Sequence, residues 1–144
     1  MKKGIFITVR TSSSRLPNKA LMKICNKATI EYAIDRAKRS IHADVIVLCT
    51  STMEEDSTLC ELADANGIEY FRGSLIDKID RWRQAAAQYE VDYFVNIDGD
   101  DLFCEPVLID KAFEQYDKED HDFVKVDEKD LIIGAFTLGA KTSA

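Results

Sequence analysis

The chain has 144 residues, a hydrophobic content of 46% and a formal net charge of -7. That length supports one hydrophobic core, and the acidic balance argues against a large nucleic-acid surface, which requires clustered Lys and Arg. The apolar run at the amino terminus turns polar again at Arg10, too early for a signal peptide or a membrane span. We therefore expect a cytoplasmic protein that binds neither nucleic acid nor membrane.

Four strand-like segments follow one another along the chain, each rich in Val, Ile or aromatic residues. They are residues 4–9, 44–50, 68–71 and 92–97. Two shorter strand-like runs come later, at residues 123–126 and 131–138. Continuous apolar runs of this length are typical of parallel strands that are covered on both faces.

Helical patterns separate the strands, with apolar residues recurring every three to four positions. The first pattern covers residues 29–39. The second begins at a capping box, Thr52-x-x-Glu55, and ends at Gly67. The third and fourth are marked by apolar residues at helical spacing: Leu75, Ile79, Trp82 and Ala86, then Leu108, Ala112, Phe113 and Tyr116.

This alternation predicts a three-layer α/β/α fold with a mostly parallel sheet, because strand–helix–strand units make right-handed crossovers. Ligands of such sheets bind at the carboxyl ends of the strands. Cysteine and histidine chemistry is not indicated, since the four cysteines lack a C-x-x-C spacing and the two histidines lie far apart. Reactivity is therefore expected from carboxylates, amines, guanidinium groups and metal.

Residues 10–19, which we call the basic loop, follow the first predicted strand and combine three basic side chains with a run of hydroxyls. Backbone N–H groups and hydroxyls of such a loop can form a concave anion site, while the bases neutralise phosphate charge. The spacing of a Walker A loop is absent. A solvated Ser-rich loop is the alternative. The residues of the predicted polyphosphate site are Arg10, Ser12, Ser13, Ser14, Arg15 and Lys19.

Residues 98–101, Asp-Gly-Asp-Asp, form what we call the acidic turn at the end of the fourth predicted strand. Clustered carboxylates at this place can bind Mg²⁺ together with triphosphate oxygens. Like charges so close would repel each other unless a cation or a donor neutralised them. Asp98 and Asp100 form an Asp-x-Asp pair like that of class A glycosyltransferases, and a solvated Asp/Gly turn is the alternative.

Four polar residues around the start of the third helix have a structural interpretation. Ser74 would cap the helix, Asp77 would occupy its N3 position, and Asp77 and Arg81 would form an i, i+4 ion pair. The functional interpretation places these residues, together with Arg72, on the base or sugar side of a cleft.

Three segments together resemble the cytidylyltransferases of 3-deoxy-manno-octulosonate and acylneuraminate, and most closely the spore-coat polysaccharide branch. The first is S-S-R-L-P-x-K-x-L, ending at Leu21 and preceded by Arg10. The others are R-G-S-x-x-D-x-x-x-R, from Arg72 to Arg81, and N-x-x-G-D, ending at Asp100. The likeness extends to about Pro106. At two positions where that family commonly has glycine, this chain has Ser12 and Asn18. Asn tolerates left-handed backbone torsions better than most residues.

The resemblance implies a Rossmann-like nucleotide-diphospho-sugar transferase fold of the GT-A type. It implies attack of a sugar acid on the α-phosphorus of CTP, giving a CMP-sugar and pyrophosphate. The implied catalytic residues, which neutralise phosphate charge, are Arg10, Arg15 and Lys19. Asp100 is the implied Mg²⁺ ligand, whereas Asp98 departs from the family pattern and is a candidate ligand through its Asp-x-Asp pair with Asp100. The resemblance is the only support for Arg72, Ser74, Asp77 and Arg81 on the base or sugar side.

Two other functions remain open: a GT-A glycosyltransferase that holds a nucleotide-sugar through Asp98 and Asp100, and a non-catalytic nucleotide-binding module. The enzymes that the chain resembles are longer and use a second metal-binding carboxylate from beyond the similar region. We therefore expect one nucleotidyltransferase domain, residues 1–144, incomplete at its carboxyl end and slow in turnover. The alternative is a naturally short protein in which Asp98 supplies that carboxylate. CTP and a sugar acid are the expected partners, with a homodimer as a further option.

Overall fold

The computed structural model describes residues 1–119, 121–125 and 138–141. In chain order, the strands are β1 (Lys3–Thr8), β2 (Lys23–Ile24), β3 (Lys27–Ala28), β4 (Val45–Ser51), β5 (Glu69–Gly73), β6 (Tyr93–Asp98), β7 (Phe123–Lys125) and β8 (Leu138–Lys141). The α-helices are α1 (Thr29–Ala37), α2 (Ser57–Ala65), α3 (Lys78–Tyr89) and α4 (Pro106–Lys118). Short 3₁₀ turns occupy Lys19–Leu21 and Glu54–Asp56.

Six of the strands form one sheet in the order β5-β4-β1-β6-β8-β7, while β2 and β3 pair as a separate hairpin. The strands β5, β4, β1 and β6 run parallel, whereas β8 is antiparallel to both β6 and β7. The prediction of a mostly parallel sheet is confirmed. Of the strand-like run at residues 131–138, only Leu138 lies within the described residues, and it begins β8.

Helices cover both faces of the sheet, which confirms the three-layer arrangement. Ile5, Ile7 and Leu48 point to the face that packs against α1, α2 and α4. Phe6 and Phe94 point to the opposite face, where their rings stack with centroids 4.4 Å apart beneath α3. Alternating side chains of each strand thus enter two apolar layers, as expected for strands buried on both faces.

The connections place the crevice of the sheet between β1 and β6. From β1 the chain moves to β4 and β5 on one side, and it then returns to β6 on the other side of β1. Ligands of open α/β sheets bind where the strand order reverses in this way. Thr8 and Asp98 are register partners at the carboxyl ends of β1 and β6, so the basic loop and the acidic turn begin side by side.

Two predicted helix starts are wrong in detail. No capping box forms at Thr52, because α2 begins at Ser57, after a 3₁₀ turn whose Asp56 carboxylate bonds elsewhere. The cap of α3 is Asp77, whose Oδ1 accepts from the Asp80 amide at 2.8 Å, and not Ser74. The stop of α2 at Gly67 is confirmed by its left-handed φ of 66°.

Burial also corrects the predicted apolar face of α3. Ile79 is 73% exposed, while Arg81 is only 3% exposed. The expected ion pair between Asp77 and Arg81 is not among those of the described residues, because the Arg81 guanidinium turns toward the sheet. None of the helices in the described part of the chain is both long and apolar enough to span a membrane.

Candidate functional site

A cleft of about 600 Å³ opens at the carboxyl ends of β1 and β6. The basic loop forms one wall, the start of α3 forms another, and the acidic turn forms the floor between them. Nine predicted site residues line it: Arg10, Ser12, Ser13, Ser14, Arg15, Lys19, Arg81, Asp98 and Asp100. The structure therefore brings together the basic, hydroxyl and acidic groups that the sequence places far apart.

Thr11 anchors the basic loop at its first turn. Its amide and its hydroxyl both donate to Asp56 Oδ1, at 2.7 and 2.6 Å. Its carbonyl accepts from the Asn18 amide at 2.9 Å, which closes the loop on itself. Asn18 adopts the left-handed conformation, with a φ of 57°, so this position does require a residue that tolerates such torsions. Ser12, Ser13 and Ser14 lie between these fixed points and line the cleft.

Asp56 is a buried carboxylate that sequence reasoning missed. Its side chain is 1% exposed, and its second oxygen accepts from the Ser51 amide and hydroxyl at the end of β4. Burial alone would raise the pKa of this carboxyl, but hydrogen bonds from Ser51 and Thr11 outweigh it and lower the pKa below its ordinary value. The Glu-Glu-Asp run looks like a helix surface, so only the fold reveals this role.

Each carboxylate of the acidic turn that lines the cleft is paired with a lysine. Lys19 Nζ lies 2.6 Å from Asp100 Oδ2, and Lys78 Nζ lies 2.9 Å from Asp98 Oδ1. The hydrogen bond from Lys19 is the main cause of a lowered Asp100 pKa. The neutralising cations expected at this turn are therefore two ammonium groups, one from each wall. Lys78 was not among the predicted site residues.

Gly99 fixes the acidic turn against the end of β1. Its amide donates to the Thr8 carbonyl at 2.8 Å. A Cβ at this position would lie 2.6 Å from Val9 Cβ, closer than packed carbon atoms approach. Only glycine lets the turn sit this close to β1, and this contact holds Asp98 and Asp100 beside the basic loop.

The carboxylates of the acidic turn are suited to a Mg²⁺ ion that is also bound by phosphate oxygens. Within the described ranges no group of three His, Cys, Asp or Glu side chains gathers in a way that could hold a metal. Asp98 and Asp100 supply carboxylate oxygens, and Mg²⁺ is usually bound by one or two carboxylates plus phosphate and water. Asp101 does not line the cleft, and burial, followed by repulsion from Asp100 and Asp98, raises its pKa.

Arg81 is a buried cation at the edge of the cleft. Its terminal nitrogens make long hydrogen bonds to the carbonyls of Cys49 and Leu75, at 3.4 and 3.5 Å, and its Nε has no partner among the described residues. Desolvation is the main cause of its lowered pKa. None of the ion pairs found in the described part of the chain includes Arg81, and a bound anion would offset part of the cost of burying this charge.

Three other predicted residues lie outside the lining of the cleft. Arg72 donates from Nε and a terminal nitrogen to the carbonyls of Ser51 and Met53, at 3.1 and 2.7 Å. Ser74 Oγ accepts from the Asp77 amide at 3.0 Å, just before α3. These contacts stabilise the segment between β5 and the start of α3. Of the four residues proposed for the base or sugar side, only Arg81 reaches the cleft.

Known proteins share this sequence pattern. A family model described as cytidylyltransferase matches residues 5–137. An uncharacterized protein of Methanocaldococcus jannaschii is 37% identical over 142 residues, covering 96% of this chain and 58% of that protein. The 3-deoxy-manno-octulosonate cytidylyltransferase of Geobacter metallireducens is 32% identical over 115 residues, covering 78% of this chain and 43% of that enzyme. The chain thus spans roughly half the length of these two relatives.

A solved structure shares the fold. A cytidylyltransferase from Leptospira borgpetersenii serovar Hardjo-bovis superposes with a TM-score of 0.92 at 26% identity, covering 99% of this chain and 61% of that one. The similarity therefore includes the arrangement of the sheet and of the helices that frame the cleft.

Proposed function

The chain belongs to the cytidylyltransferase family, and from that premise we propose that its cleft binds CTP with Mg²⁺ and transfers CMP to a sugar acid, releasing pyrophosphate. The observation that supports this proposal most strongly is that basic and acidic side chains line the same cleft. Arg10, Arg15, Lys19 and Arg81 supply four cations, and Asp98 and Asp100 supply two carboxylates. A triphosphate with its metal ion needs both.

The basic loop holds the triphosphate in this proposal. Backbone amides and the hydroxyls of Ser12, Ser13 and Ser14 donate to phosphate oxygens, in a loop whose ends are fixed by Thr11 and Asn18. Arg10, Arg15 and Lys19 neutralise the charge that builds on the leaving pyrophosphate. Because the loop is already ordered by its own hydrogen bonds, little reorganisation accompanies binding.

The reaction itself is an in-line displacement at phosphorus. The anomeric hydroxyl of the acceptor forms a bond to the α-phosphorus, the bond from that phosphorus to the bridging oxygen breaks, and the hydroxyl proton passes to solvent or a nearby base. No covalent enzyme intermediate is required, so catalysis rests on positioning and charge neutralisation. Asp98 and Asp100 would hold Mg²⁺, which supplies charge stabilisation at the phosphate oxygens when bound.

A sugar acid is the acceptor class that suits the α3 wall. Arg81 carries a buried guanidinium at the edge of the cleft that forms no ion pair within the described residues, and guanidinium groups bind carboxylates in bidentate geometry. The Geobacter relative is named for 3-deoxy-manno-octulosonate, an acid of this class. We extend the class, and not the individual sugar, to this chain.

The test is pyrophosphate release from CTP and Mg²⁺ with a panel of 3-deoxy-ulosonic and nonulosonic acids. We expect release that requires both CTP and an acceptor, with the neutral parent sugars as inactive controls. Transfer from a nucleotide-sugar without pyrophosphate release would favour the glycosyltransferase alternative. Binding of CTP without release by any acceptor would favour a nucleotide-binding module.

A further inference from the structure

We propose that Lys78 is a phosphate-binding residue that exchanges partners, leaving Asp98 for the triphosphate when the nucleotide and its metal ion bind. The proposal rests on the proposed function and adds a contact from the wall opposite the basic loop. Lys78 occupies one of the unspecified positions of the R-G-S-x-x-D-x-x-x-R pattern. The sequence likeness therefore gives it no role, and the structure alone brings it into the cleft.

The ammonium group of Lys78 is positioned by Asp98 and by an aromatic ring on its own helix. Its Nζ lies 4.8 Å from the centroid of the Trp82 ring, one turn further along α3. The indole Nε1 donates to Thr8 Oγ1 at 2.8 Å, and that hydroxyl donates to Asn96 Oδ1 at 2.6 Å. Trp82 is thereby fixed to β1 and, through Thr8, to β6, so the ring beside the Lys78 ammonium group has a defined position.

The ion pair between Lys78 and Asp98 can be broken at little cost. Its side chains are 42% and 52% exposed, and ion pairs this accessible to water contribute little net stability. A lysine ammonium is also a flexible point charge that can change partners without a fixed geometry. Lys19 and Asp100 form a similar pair from the other wall, with side-chain exposures of 42% and 55%. Both walls thus present a lysine that can be released.

Competition for one carboxylate links the lysine to the metal ion. Mg²⁺ and the Lys78 ammonium are both cations that would bind Asp98, so each weakens the binding of the other. When the metal ion takes the carboxylate, the ammonium remains in the cleft beside the phosphates, where an anion replaces its lost partner. Loss of the lysine charge should therefore strengthen binding of the metal ion alone and weaken binding of the metal–nucleotide complex. A purely structural lysine would not produce effects of opposite sign.

The experiment compares the parent with Lys78→Met, because methionine removes the charge and keeps an unbranched side chain of similar length beside Trp82. Mn²⁺ binding without nucleotide is measured by the loss of the free-ion EPR signal, and CTP binding in excess Mg²⁺ by titration calorimetry. Arg83→Met is the matched control. Arg83 lies on the same helix with a side chain 70% exposed and pairs with Asp80 outside the cleft, so this variant changes the net charge equally.

We expect Lys78→Met to bind Mn²⁺ more tightly than the parent and to lose roughly tenfold in CTP affinity, the effect of one charge-assisted hydrogen bond. Arg83→Met should change neither by more than about twofold. If Lys78→Met binds CTP like the parent, or loses both ligands together, the exchange is overturned while the proposed function stands. If the parent binds no triphosphate, the proposed function fails, and the Mn²⁺ measurement still tests the pairing of Lys78 with Asp98.

Discussion

Thr11 and Asp56 are joined twice, because the amide and the hydroxyl of the threonine donate to the same carboxylate oxygen, at 2.7 and 2.6 Å. This contact ties the start of the basic loop to the segment that follows β4. Asp56 also accepts from Ser51 in that strand. The position of the proposed phosphate site therefore depends on a carboxylate that belongs to none of the recognisable motifs.

Asp56→Asn should destabilise the fold by about 2–3 kcal/mol, because an amide replaces a buried, charged acceptor of several hydrogen bonds. Triphosphate affinity should fall as well, since the basic loop loses its anchor. Urea unfolding and calorimetric titration with CTP check the two effects. Asp64→Asn, on the exposed face of α2, is the matched control and should leave both quantities near the parent values.

The stabilising contribution of Asp56 should depend on pH. Its pKa in the folded protein lies below the ordinary value of 3.8, so its contribution is fully present above that value and is lost as the pH falls through the lower, folded pKa. The difference in unfolding free energy between the parent and Asp56→Asn should therefore shrink below about pH 4. A difference that stays constant to strongly acidic pH would show that the charge of Asp56 does not matter.

Lys19→Ala and Arg15→Ala should each weaken triphosphate binding by about 1.5–3 kcal/mol, the range for hydrogen bonds to charged groups. Lys23→Ala is the control, since Lys23 is exposed in the β2–β3 hairpin and does not line the cleft. Calorimetric titration with CTP and Mg²⁺ measures all three variants. Parent-like binding by both cleft variants would remove the basic loop from the proposed site.

Asp100→Asn should abolish most of the Mg²⁺-dependent gain in nucleotide affinity, whereas Asp101→Asn should matter less. The structure supplies the reason, because Asp100 lines the cleft and Asp101 does not. Titrations with CTP in the presence of Mg²⁺ and in the presence of EDTA separate the metal-dependent part. A larger loss at Asp101 would mean that the wrong carboxylate of the acidic turn has been assigned to the metal ion.

Gly99→Ala should destabilise the fold by about 1–3 kcal/mol, because the added methyl group collides with Val9. The displaced acidic turn should also lose affinity for the metal–nucleotide complex. Gly67→Ala is the comparison, because it strains a left-handed residue at a cost of about 1 kcal/mol but lies far from the cleft. Both variants should unfold more easily, and only Gly99→Ala should bind CTP weakly.

Much of the fold could be predicted because the strands are continuous apolar runs separated by helical patterns. Apart from the β2–β3 hairpin, which was not predicted, the order of elements from β1 to α4 follows the predicted order. The basic loop and the acidic turn meet at the crevice that the parallel sheet requires. The stop at Gly67 was equally clear, since a left-handed torsion favours glycine. These features depend on local patterns and on a general rule of topology.

The missed features depend on partners that are distant in sequence. Asp56 bonds to Thr11, which lies 45 positions away, and Lys78 pairs with Asp98 across the cleft. The capping box predicted at Thr52 failed because Asp56 bonds to Thr11 and Ser51, and the helix starts after it. The predicted ion pair between Asp77 and Arg81 is wrong, because the Arg81 side chain is buried against the sheet. Sequence spacing alone does not specify such contacts.

A thermal-shift panel of CTP, UTP, ATP and GTP, each with Mg²⁺, would show whether this cleft binds CTP together with its metal ion. A ligand that binds only the native state raises the unfolding temperature, and at equal concentrations the tighter ligand raises it more. We expect the largest shift with CTP and a much smaller one when Mg²⁺ is removed. Equal shifts with all four nucleotides would contradict the assignment to cytidine, and no shift with any of them would contradict the site itself.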